Sequence, residues 1–108
     1  MRRFRGASEP AMSRRARFKF RLYVAGDAQN SVQARANLVA LCRAYLPDRH
    51  DIEVVDVFLE PNRALADRIF MTPTLMKLAP SPAPRRIVGT LSQTQPVLQA
   101  LGLETVVA

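Results

Sequence analysis

The side chains best suited to chemistry near neutral pH are few in this chain: one cysteine, Cys42, and one histidine, His50. Cys42 shares an apolar helical stripe with Leu38 and Tyr45, three turns inside the helix, so it reads as a packed core thiol. A reactive thiolate wants the positive end of a helix or a cationic neighbour instead. His50 stands between Arg49 and Asp51 with no second histidine or cysteine at ligand spacing, and reads as a surface loop residue rather than a metal ligand. The chain has no Gly-rich loop to cradle a phosphate, no nucleophile beside a base, and no carboxylate pair arranged for acid and base work. No catalytic residue, metal site or cofactor is expected. Pro73, between Thr72 and Thr74 in "MTPTL", invites a conformational reading. A cis X-Pro bond costs only about 0.5–1 kcal/mol, so tertiary packing can select it where another residue would resist. Met71 and Met76, to either side, read as core filling.

These residues need elements to hold them. Phe18, Phe20, Leu22 and Val24 alternate with Lys19, Arg21 and Tyr23, the pattern of a strand with two unlike faces. Ser31 is a suitable N-cap for a helix running to Leu46, which Pro47 closes. On that helix Val32, Ala36 and Val39 form a second apolar stripe, which implies packing on a sheet and on a partner as well. Ile52 to Leu59, rich in β-branched residues, reads as a strand covered on both faces of a parallel sheet. Pro61 opens a second helix, with Leu65 and Ile69 on one face, lasting through Phe70. Thr74 to Leu78 is a third strand, Pro80 to Pro84 a proline-dense connector, and Arg85 to Val88 a fourth strand. A final helix, capped by Ser92 or Thr94, has Pro96 in its first turn and stops at Gly102 after Leu101. The result is an α/β domain of order βαβαββα over residues 18–102.

Charge is unevenly placed. The net charge is +7, and residues 1–21 alone carry eight basic side chains against Glu9, while the rest of the chain balances. Residues 1–17 read as a disordered, solvated basic arm and 103–108 as a short tail. Met12 offers a second possible start. Such an arm attracts phosphates weakly and in a salt-dependent way, so nucleic acid is not the expected partner. No apolar run approaches the roughly 20 residues that span a bilayer, and a lone cysteine agrees with a reducing compartment, so a cytoplasmic protein with no membrane contact is expected.

The element order, with a proline opening the third strand, resembles the thioredoxin fold. Thiol enzymes of that fold carry a low-pKa cysteine at the start of the first helix, where this chain reads "AGDAQNSV" (25–32) with no cysteine. A redox enzyme is therefore the weaker reading. The strand end "LYVAG", the helix start "NSV", the strand "VDV", "TPTL" and "GTLS" together resemble the KaiB family of bacterial clock proteins over residues 18–101.

That resemblance implies a non-enzymatic timing protein that binds the N-terminal ATPase ring of a KaiC-like hexameric ATPase and promotes its dephosphorylation by sequestering a KaiA-like activator. It implies displacement of a histidine kinase bearing a similar sensor domain. A sensor or adapter domain that docks a kinase or stress-response partner without circadian oscillation is the alternative. The family resemblance also implies a second, tetrameric resting fold, βαββααβ, in which the C-terminal half is rearranged. Mixed helix-compatible, β-branched and proline-rich runs in residues 61–101 fit two packings separated by a few kcal/mol. By position, Arg68, Lys77, Arg85 and Arg86 match the family's basic partner surface and Gly89 its switching turn, and Pro73, through X-Pro isomerisation, is a second candidate switch position. Arg21, on the first strand, is a further candidate to face a partner. Gln33 and Glu53 replace basic residues of the best-known members, and Thr90 replaces an aspartate.

Overall fold

The computed structural model describes residues 17–80 and 85–102. The expected arm, apart from Arg17, most of the connector with Pro82 and Pro84, and the tail lie outside the described residues. Element order is β1 (Phe18–Val24), α1 (Gln29–Tyr45), β2 (His50–Asp56), α2 (Pro61–Ala66), β3 (Thr74–Ala79), β4 (Arg85–Val88) and α3 (Thr94–Leu101). This is the expected βαβαββα order. The strands form one sheet in the order β2-β1-β3-β4, with β1 parallel to β2 and antiparallel to β3, and β3 antiparallel to β4.

The alternation in β1 decides the layers. Phe18, Phe20, Leu22 and Val24 point to the face that carries α1 and α3, where they meet Leu38, Leu41 and Cys42 of α1 and Val97, Leu98 and Leu101 of α3. Burying each such side chain is worth roughly 1.5–3 kcal/mol. The opposite face holds a smaller cluster of Tyr23, Val55, Ala64 and Met76 under α2. Six residues of α2 cannot cover a four-stranded sheet, so polar side chains finish that face. The Thr72–Pro73 bond is cis, as the sequence led us to expect, and so is Ala79–Pro80.

Several local expectations give way to tertiary structure. Ser31 does not cap α1, which starts at Gln29; its buried Oγ accepts the Ala25 N–H at 3.0 Å and ties the β1–α1 turn together. β2 stops at Asp56 rather than Leu59, because the Asp56 carboxylate accepts the Phe58 N–H at 2.9 Å and its carbonyl accepts those of Leu59 and Glu60, turning the chain. The expected cover on both faces of β2 is only partial, with Ile52 and Val54 against the α1–α3 core and Val55 in the cluster under α2, while Asp51 and Glu53 are exposed. β2 is an edge strand in which only Val55 is fully buried.

α2 ends at Ala66, since Arg68 adopts a left-handed φ of 57° and the Ile69 N–H bonds back to Ala64, so the Leu65–Ile69 stripe never forms. Ala64 is buried in its place and Leu65 is 71% exposed. His50 is no loop residue: it opens β2, half-buried, with Nδ1 donating to the Leu46 carbonyl at 2.7 Å. Met76 fills core as expected, but Met71 is exposed. Gln93, not Ser92 or Thr94, precedes α3, and no side chain caps it. Gly102 ends α3 at φ 78°, the left-handed conformation expected of a C-terminal glycine.

Candidate partner-binding site

Cross-strand pairing sets one row of side chains on the α2 face. Glu53 of β2, Arg21 of β1, Met76 of β3 and Arg86 of β4 are successive partners, and directly paired residues share a face. Arg21 uses both ends of its guanidinium: Nε donates to Glu53 Oε1 at 2.9 Å and Nη1 to Asp67 Oδ2 at 2.9 Å. Arg63 of α2 donates from Nη2 to Glu53 Oε2 at 2.7 Å, and Tyr23 donates its hydroxyl to Asp67 Oδ2 at 2.5 Å. Arg86 caps the arrangement by donating to the backbone carbonyls of Asp67 and Arg68, which α2 leaves open at its C-terminal end. α2 is thereby tied to β1, β2 and β4 by charge.

Ionisation follows this geometry. The hydrogen bond from Tyr23 and that from Arg21 hold the Asp67 carboxyl below its ordinary range, against the opposing effect of burial. Arg21 and Arg63 likewise lower Glu53. Burial, with the Asp67 carboxylate beside it, pushes the Tyr23 hydroxyl up to about 12. Burial alone raises the Cys42 thiol to about 11. Cys42 lies at 0% exposure in the core, as expected of a packed thiol, and the turn before α1 that would carry a reactive cysteine has none.

The five basic candidates are not brought to one patch. Arg21 is engaged inside the protein with Glu53 and Asp67. Arg68 is exposed beside Arg86 on the α2 side. Lys77 and Arg85 pair with each other on the α1–α3 face. Lys77 is only 5% exposed; its Nζ lies 3.4 Å from the Leu101 carbonyl, and burial followed by the Arg85 charge lowers its pKa. Pro73 and Gly89 do come together, the Gly89 N–H donating to the Pro73 carbonyl at 3.0 Å, with Gly89 at φ 126°.

Sequence reasoning missed the apolar part of this surface. Phe58 and Leu59 follow β2, Phe70 and Met71 precede β3, and Val88 ends β4, all at the end of the sheet where β1 finishes; each is more than half exposed. Leu65 stands out from α2. The available signal was "IFM" directly before Thr72-Pro73, an apolar run that the sequence pattern places in part in the second helix and that the shorter α2 leaves outside any element.

A cysteine-free turn before α1, a cis proline at the start of β3 and a mixed four-stranded sheet define a thioredoxin-like domain without the thiol of the redox enzymes. Solved structures share its shape: chloroplastic thioredoxin z (TM-score 0.68, 18% identity, 94% of this chain and 92% of that one) and the N-terminal domain of Synechococcus elongatus SasA (TM-score 0.60, 23% identity, 86% and 87%). The KaiB domain model matches residues 21–103. Circadian clock protein KaiB3 of Synechocystis sp. is 42% identical over 90 residues, covering 83% of this chain and 85% of the relative. The circadian clock oscillator protein KaiB of Synechococcus elongatus is 40% identical over 92 residues, covering 85% and 89%. The chain belongs to the KaiB family. No helix among the described residues is long and apolar enough to cross a membrane.

Proposed function

We propose that this protein is a non-enzymatic timing component that binds the N-terminal ATPase ring of a KaiC-like hexamer and favours its dephosphorylated state. The observation that carries this reading is the KaiB match across residues 21–103. The surface offered to the ring joins Arg68 to the exposed Leu65, Phe70 and Met71, an apolar anchor with a basic rim. Arg86 contributes indirectly, by holding the carbonyls that fix Arg68. A KaiA-like activator, or a histidine kinase competing for the ring, belongs to the same reading. So does a resting tetramer in the βαββααβ arrangement, with Pro73 and Gly89 at the turns that change. The test is co-sedimentation of the purified chain with a KaiC-like hexamer, with and without ATP. A ring-bound complex that shifts phosphorylation towards the dephosphorylated form is expected. Absence of any complex at high protein concentration would overturn the reading.

A further inference from the structure

β4 is the second edge of the sheet, with β3 on one side and, among the described residues, no strand on the other. Because the Gly89 N–H points to Pro73, alternation directs the backbone groups of Ile87 and Arg85 towards β3 and those of Arg86 and Val88 outwards. Beside this edge lies an open groove of about 320 Å³ between β4 and the start of α3, with Ile87, Leu91, Pro96 and Val97 as its apolar walls. The described residues that follow α2 in the chain carry one sign of charge from Arg68 onward. Residues 68–102 contain no aspartate or glutamate, and Arg85 is exposed with no ion-pair partner among the described residues. The first turn of α3 has neither an acidic residue nor a side-chain cap, leaving the positive end of that helix uncompensated.

We propose that the β4 edge and its groove take up an extended acidic segment of a partner protein by strand addition. The segment hydrogen-bonds through the outward groups of Arg86 and Val88, places one aliphatic side chain over Ile87 and Val97, and carries a carboxylate two positions to either side. One carboxylate meets Arg85 and the other the start of α3. Strand addition draws affinity from main-chain bonds and specificity from alternate side chains, which this edge and groove supply together. A second copy of the chain is a poorer occupant, since β4 against β4 would crowd four arginines, Arg85 and Arg86 of each copy, into one short ladder. The acids of the β2 edge are already held, Asp51 by Arg17 and Glu53 by Arg21. This site adjoins the surface around Arg68 through Arg86 and Val88 but uses their outward backbone groups, and it does not depend on the ring.

The test uses the isolated full chain and a capped heptapeptide with valine at its centre and glutamates two positions to either side. Titration followed by amide NMR is expected to saturate, with shifts and exchange protection centred on Arg86 and Val88 and extending to Thr94 and Gln95. Replacing the glutamates by lysines weakens binding by about tenfold or more, and Arg85→Glu reverses that preference. N-methylation of the peptide at alternate positions abolishes binding in one register and spares it in the other, a control independent of the protein's folding. Three results would overturn the proposal: no saturation, shifts confined to β2 or to Leu65 and Arg68 with none at Val88 or Thr94, or equal binding of both N-methylated peptides. Protection of Arg86 and Val88 that grows with protein concentration without peptide would assign the edge to a second copy instead.

Discussion

Asp67 illustrates how much one side chain can join. It accepts from Tyr23 and Arg21 at once, and its neighbouring backbone carbonyls hold Arg86. Asp67→Asn should therefore destabilise the fold by about 1–3 kcal/mol, the range for losing charged hydrogen bonds at a partly buried group. Because the folded carboxyl titrates below its unfolded value, its contribution is present above about pH 4 and disappears as pH falls through the folded pKa. Urea titrations should show the two proteins differing at pH 7 and converging in acid; a constant gap would contradict the pairing. Cys42 yields a second prediction. Buried and raised to about 11, it should resist alkylation at pH 8 in the native protein, react fully once unfolded, and support no insulin reduction.

At the scale of elements, the two sides of the sheet differ in how they are held. α1 and α3 cover one side with a continuous apolar core, whereas α2 is a short helix secured by ion pairs and by Arg86. Leu98, at 0% exposure in α3, should cost about 2–5 kcal/mol when cut to alanine, while Leu65, on the open face of α2, should cost less than about 0.5 kcal/mol. Chemical denaturation of the two variants measures the contrast directly. The core that fixes α1 and α3 was legible in the alternation of β1 and the Leu38–Cys42 stripe. The extent of α2 was not, because Arg68 takes a left-handed conformation that no residue type at that position announces.

For the whole molecule, the α2 side presents exposed apolar residues and, among the described residues, one unengaged arginine, Arg68, next to a network whose other charges are internally satisfied. A rim charge of that kind speeds encounter more than it deepens affinity. Arg68→Glu should leave thermal unfolding within about 0.5 kcal/mol of the parent yet slow association with a KaiC-like ring, most at low salt. Stopped-flow binding at two ionic strengths checks it; an unchanged association rate would remove Arg68 from the docking surface. Leu65→Ala, already nearly neutral for stability, serves to test the apolar anchor in the same assay.

The sequence alone determined the element order, the inward face of β1, the inert character of Cys42 and the family, because each is written in local periodicity or in short runs of adjacent residues. Tertiary structure alone decided which charges are free. Arg21, Lys77 and Arg85 look equivalent to Arg68 along the chain, yet pairing across 46 positions ties Arg21 to Asp67, and the sheet turns Lys77 inward to Leu101 while Arg68 stays outside. A charge is satisfied or available according to what the fold sets within about 4 Å of it, and that distance is not a property of sequence spacing.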